Sequence, residues 1–259
     1  MVAAIFVVFG LILGSFLNVC ISRMPRDLSV VRPRSRCPVC GHPIRWLENV
    51  PLLSWLLLGR QCRYCQTSIS WRYPAVEAVT AALFWAAALL WGASWPALKS
   101  SAFFFLLICL IVSDLETRLL PDEFTLGGLL AGLAAATATP SDESLIRLLW
   151  PQLHPRLVSL AEAAVASVLA GGVLWLVGEA YHRIRRREGL GFGDVKMVAM
   201  IGAFLGLQRT LLVVLLGCLA GTLLGVLYVV IARKDFSTYQ LPFGSFLGAA
   251  AVVVTLLIP

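Results

Sequence analysis

Glu188-Gly-Leu-Gly-Phe-Gly-Asp194-Val-Lys196-Met197 is a glycine-rich turn that carries a carboxylate to the threshold of an apolar run. An aspartate held at a membrane edge is costly, which makes it a functional candidate. A second candidate is Asp114, in Ser113-Asp114-Leu-Glu-Thr-Arg-Leu-Leu-Pro121-Asp122, at the end of another apolar run. Two carboxylates brought together there predict acid/base hydrolysis of a membrane-bound substrate. Gly189, Gly191 and Gly193 are expected to take positive φ angles and to let another chain approach closely. The stretch lacks GxGxxG spacing, follows a basic loop, and is not followed by GK[ST], so it is neither a dinucleotide fingerprint nor a P-loop. Taken alone, Asp194 also fits an N-cap and Lys196 a snorkelling interface lysine.

The rest of the chain sets the class. Of 259 residues, 59% are hydrophobic and 14% charged, against about 25% charged in soluble domains. Eight apolar runs are candidate spans, at roughly 2–21, 75–95, 97–113, 123–139, 158–180, 195–207, 209–232 and 242–258. The expected fold is an all-α polytopic membrane protein of about eight transmembrane helices. The sixth run is short and glycine-broken, and the Trp95-Pro96 junction is tight. Met1 to Ile21 has no basic leader region and no clear small-residue cleavage site, so it is expected to be a retained first helix.

Basic residues orient the chain. With the N-terminus outside, the inside segments are 22–74, 113–122, 181–196 and 233–241, and they hold 17 of the 21 Lys and Arg residues. Lys99, Arg147, Arg156 and Arg209 are the remainder. This asymmetry places Asp114 and Asp194 on the cytoplasmic side. It also accounts for the net charge of +7 without nucleic acid.

The polar segment after the first helix contains Cys37-Pro-Val-Cys40 and Cys62-Arg-Tyr-Cys65, with 21 residues between the pairs. Each CxxC forms a tight knuckle presenting two thiolates, and two such pairs fit a tetrahedral zinc site. Two disulfides are the alternative, and a reducing cytoplasm opposes them. With four protein thiolates the metal has no open position, so its role is structural. Cys20, Cys109 and Cys218 lie singly in apolar runs and read as small packing residues. Between the knuckles, Ile44 to Trp55 is too polar to span and too apolar for a free loop, and is expected to lie on the membrane surface.

Other residues receive plainer readings. Asp122 follows Pro121 and fits an N-cap for the fourth span. Glu116 and Glu123 read as solvated charges, and Glu77, Glu162 and Glu179 as interface residues. Gly10/Gly14, Gly128/Gly132, Gly202/Gly206, Gly217/Gly221/Gly225 and Gly244/Gly248 have the small-xxx-small spacing of close helix packing. His42, His154 and His182 are scattered, and the external loop 140–157 carries no legible motif.

Taken in order, these motifs resemble the type IV prepilin peptidases, membrane aspartic peptidases of the GxGD type. The resemblance spans nearly the whole chain. It includes Gly14-Ser-Phe-Leu-Asn18-Val, the CxxC pairs, Glu48-Asn-Val-Pro51, and Ser70-Trp-Arg-Tyr-Pro74 with Glu77. It continues through Asp114, Leu119-Leu-Pro121-Asp122, Gly191-Phe-Gly193-Asp194-Val-Lys196 and Pro242-Phe-Gly244. The chain departs from the family pattern at Ser245, where proline is usual, and at Glu116, where aspartate is frequent.

The resemblance implies a bacterial inner-membrane enzyme that cuts type IV prepilins or type II secretion pseudopilins at the cytoplasmic face. Those substrates have a short basic leader, a glycine before the cut and a hydrophobic helix after it. It also implies N-methylation of the new N-terminus from S-adenosylmethionine, through residues the sequence does not reveal. The implied division is a first helix at 1–22, a zinc-binding domain associated with methylation at 23–74, and a peptidase domain at 75–259. Asp114 and Asp194 would be the catalytic pair, and Gly191, Gly193 and Lys196 would form the active-site loop. Two close carboxylates share a proton, so one can activate water while the other polarises the scissile carbonyl. Competing readings are another GxGD peptidase, a transporter with a regulatory zinc domain, and a membrane-tethered zinc ribbon.

Overall fold

The computed structural model describes residues 1–139, 146–147, 150–186, 189–233 and 241–258. Glu188, and parts of the expected loops 140–157 and 233–241, lie outside the described residues. Regular structure is helical, with two isolated antiparallel bridges in the cysteine segment.

The principal α-helices among the described residues are α1 (Val2–Arg23), α2 (Leu53–Leu57), α3 (Arg72–Trp91), α4 (Trp95–Thr117), α5 (Asp122–Ala138), α6 (Pro155–Arg185), α7 (Phe192–Ile231) and α8 (Phe243–Leu257). Five of them (α1, α3, α4, α6 and α7) are long and apolar enough to cross a membrane, and α8 is a shorter apolar helix. The eight apolar runs therefore appear as seven longer helices, because the sixth and seventh are continuous in α7. Gly206 breaks that 40-residue helix with φ 76° and ψ 176°, a conformation open to glycine alone. α6 extends beyond its expected apolar stretch by three residues at its start and five at its end, so its 31 residues span about 46 Å. Its last turn carries Arg183 and Arg185, cations that suit the negative end of a helix dipole.

The chain divides into two compact units, Met1–Cys109 and Leu110–Pro259. In the first, α1 packs on α3 through glycine. A Cβ added to Gly10 would lie 2.7 Å from the Ala81 Cα, and one added to Gly14 would lie 2.8 Å from the Glu77 Cα. In the second, α5, α6, α7, α8 and the end of α4 close on one another by the same device. A Cβ on Gly202 would meet the Ala166–Ser167 backbone at 2.9 Å, and one on Gly248 would lie 2.5 Å from Ile111. Lipid supplies no hydrophobic drive between helices, so van der Waals contact at small residues holds them together. Gly202→Leu should therefore lower the thermal midpoint of the detergent-purified protein by a destabilisation of about 1–3 kcal/mol. Gly172→Leu, where nothing lies within 4 Å, should leave the midpoint at the wild-type value.

Candidate active site

Asp114 sits in the last full turn of α4. The Arg118 N–H closes that turn on the Asp114 carbonyl at 2.9 Å, and Arg118 turns the chain out of the helix at φ 57°. The Asp114 side chain is only 5% exposed. Asp194 is half-buried in the first turn of α7, which Gly191 caps with φ −70°. Both carboxylates converge on the start of α8. A Cβ added to Gly244 would lie 3.2 Å from Asp114 Oδ2 and 3.2 Å from Asp194 Oδ1. The two oxygens are therefore no farther apart than twice that distance, with bare main chain beside them. The Ser245 N–H and hydroxyl both reach Asp114 Oδ2, at 2.6 and 2.8 Å.

The glycines of the 189–193 turn work differently from the sequence expectation. None of them has positive φ; among the described glycines that conformation belongs to Gly41, Gly59, Gly92 and Gly206. Their role is close approach. A Cβ on Gly189 would lie 2.5 Å from the Tyr181 ring, one on Gly193 would lie 3.2 Å from Leu120, and one on Gly191 would lie 3.3 Å from Asp194 Oδ2.

Asp122 is also corrected. Pro121 holds the N-cap position of α5, and Asp122 is the first helical residue. Its carboxylate pairs with Lys196, whose ammonium also lies 5.2 Å from the Phe192 ring centroid. Lys196 thus ties the start of α7 to the start of α5. Gly244 and Ser245, read from sequence only as a packing glycine and a departure from a motif, are the residues closest to the carboxylates from α8. Their signal was the Pro-Phe-Gly-Ser start of the last apolar run.

The four cysteines of the first unit form a second centre. Cys37, Cys40, Cys62 and Cys65 have all their sulfurs within 4.8 Å of one another. Cys37 and Cys65 are 3.7 Å apart, close to the edge of about 3.8 Å that metal–sulfur bonds of about 2.3 Å give in a tetrahedron. The knuckles repeat one another. Gly41 N–H donates to the Cys37 carbonyl and Gln66 N–H to the Cys62 carbonyl, both at 2.9 Å, and both donors have positive φ. The Cys40 N–H directed at the Cys37 sulfur pulls that thiol down to about 6, so it ionises readily for a cation. His42 stacks on Tyr64 between the knuckles with centroids 3.4 Å apart.

Glu77 is buried, contrary to its reading as an interface charge. Its Oε2 accepts the Leu52 N–H at 2.8 Å and so fastens the polar segment to α3. Beyond Leu52, Trp55 donates to the Ile69 carbonyl at 3.3 Å, and Arg60 lies over the Trp55 ring at 5.0 Å.

Comparison with known proteins converges on one family. The bacterial peptidase A24 N-terminal domain matches residues 8–91, and the type IV leader peptidase family matches residues 101–226. The prepilin leader peptidase/N-methyltransferase of Aeromonas hydrophila is 36% identical over 96% of this chain and 88% of its own length. The chain belongs to the prepilin leader peptidase family. The Myxococcus xanthus prepilin leader peptidase/N-methyltransferase is 40% identical over 85% of this chain and 61% of its own length. The type 4 prepilin-like proteins leader peptide-processing enzyme of Escherichia coli is 36% identical over 94% and 89%. No solved structure matches the chain. The approach of both carboxylates to Gly244 makes that position sensitive to an added side chain. Gly244→Ala should lower peptidase turnover while the protein accumulates and melts as wild type, because the new methyl group displaces both carboxylates by a few tenths of an ångström.

Proposed function

We propose that this protein removes the leader peptide of type IV prepilins or type II secretion pseudopilins at the cytoplasmic face of the bacterial inner membrane, with Asp114 and Asp194 as its catalytic pair. The observation that carries this reading is the convergence of the two carboxylates on the Gly244 backbone. One carboxylate takes a proton from water as the water oxygen bonds to the scissile carbonyl carbon. The displaced π electrons settle on the carbonyl oxygen, which receives a hydrogen bond and then the proton of the other carboxyl. Collapse of the tetrahedral intermediate breaks the C–N bond: the leaving amine takes up the proton first drawn from water, and one hydroxyl returns its proton to the other carboxylate as the C=O bond re-forms, which restores the pair. Gly191, Gly193 and Gly244 add no side chain of their own beside the pair, which suits the approach of an extended substrate backbone, and Leu120 packs against Gly193 and Gly244. Lys196 holds the α7 turn in place through Asp122.

The same chain is proposed to methylate the amine that cleavage exposes, with residues 23–74 as the domain associated with that step and 75–259 as the peptidase domain. S-adenosylmethionine supplies an electrophilic methyl group when bound. The described cleft of about 400 Å³ in the first unit has Arg23 and Arg34 as its charged lining. That lining opposes a sulfonium, so no methyl-transfer step is placed there. Zinc fits the cysteine centre. Cys37, Cys40, Cys62 and Cys65 would hold it as a closed four-thiolate site, with a structural role.

Membranes containing the protein should shorten a prepilin-like substrate by its leader, and mass spectrometry should find the new N-terminus methylated. Asp114→Asn and Asp194→Asn should each reduce cleavage at least about hundredfold without loss of membrane-inserted protein. Full cleavage by either variant removes that aspartate from the mechanism. Elemental analysis of reduced protein should find one zinc per chain, lost in Cys37→Ser and Cys62→Ser.

A further inference from the structure

The first turn of α8 gives Asp114 two donors of different kinds. The Ser245 N–H, 2.6 Å from Oδ2, is a fixed donor, so this oxygen accepts in every protonation state. The Ser245 hydroxyl, 2.8 Å from the same oxygen, is a rotor that also lies 3.0 Å from the Ile111 carbonyl. It can donate to Asp114 while that carboxylate is charged and turn to Ile111 when it is not. Hydrogen bonds donated to a carboxylate favour its ionised form, and bonds to charged groups are about twice as strong as neutral ones. The α8 N-terminus, directly beneath, adds the positive end of its dipole. Among the described residues, the ionisable groups that act on Asp114 are Asp194 on α7 and Arg118 one turn along α4. α8 has no acidic residue in its first turn, and Asp122 at the start of α5 is engaged by Lys196.

We infer that Ser245 is a positioning residue that makes Asp114 the ionised member of the pair, with Oδ1 as the atom that takes the proton from water and Asp194 as the acid. The inference rests on the peptidase reading and deepens it by breaking the symmetry between the two carboxylates. Ser245→Ala removes the rotor and keeps the N–H. Ser245→Thr keeps both donors. Ser245→Pro removes both at a first-turn position where the ring is tolerated.

The test measures kcat and KM for a prepilin-like substrate across pH in wild type and the three variants. Ser245→Ala should lower kcat about tenfold on the acid limb, at pH below both titration midpoints, with KM unchanged. The acid limb of its profile should move about one pH unit toward neutrality, further in Ser245→Pro and not at all in Ser245→Thr. Profiles that fall in height with the limb unmoved, or a threonine variant that behaves like alanine, overturn the assignment. Infrared difference spectra against pH follow a carboxylate band absent from Asp114→Asn and need no turnover. If wild type fails to cleave, the peptidase reading falls, and that band still decides the role of Ser245. A titration midpoint shared by wild type and Ser245→Ala overturns it.

Discussion

The second unit depends on one constraint: two carboxylates must stay close together at the ends of apolar helices. Bulky side chains from α8 would force them apart, so α8 contributes main chain at Gly244 and a small hydroxyl at Ser245. Gly244 brings that backbone within van der Waals reach of both oxygens, and Gly193 lets Leu120 close in next to it. The pair is thus supported by three helix ends, those of α4, α7 and α8, and each end is tied by a short polar contact. Arg118 closes α4, Lys196 joins α7 to α5, and Ser245 joins α8 to Asp114.

Glycine serves three separate purposes here, which sequence spacing alone does not distinguish. At Gly10, Gly14 and Gly202 it permits helix–helix contact, at Gly206 it permits a backbone break, and at Gly244 it makes room for charge. All five lie in small-xxx-small patterns. The difference lies in what faces each position, and that is a property of the folded chain.

Much of the architecture was legible in order. Long apolar runs marked every major helix to within a few residues, since a spanning helix must satisfy its backbone internally and present apolar side chains to lipid. CxxC spacing marked the cysteine cluster because a knuckle is a local structure. What the sequence concealed was long-range. Asp122 looked like a cap because Pro121 precedes it, yet its partner Lys196 lies 74 positions away. Glu77 looked like an interface charge, yet the Leu52 amide that satisfies it comes from a separate segment. Gly191 and Gly193 suggested unusual torsions, yet ordinary torsions with tight neighbours are what the fold requires. The errors at Asp122 and Glu77 came from reading a residue against its neighbours in sequence when its partner was elsewhere.

The attachment of Leu52 to Glu77 has a consequence for which lengths of chain this family member can accept. The anchor falls between the two knuckles, so the stretch from Gly41 to Gln61 is pinned in its middle as well as at its ends. Leu52 presents its amide from a left-handed turn at φ 59°, and one added or deleted residue beside it would rotate the donor away from the carboxylate. Insertions are therefore confined to the two short arms on either side of that anchor. The cysteine segment cannot be swapped as a free cassette, because part of its fold is written on α3.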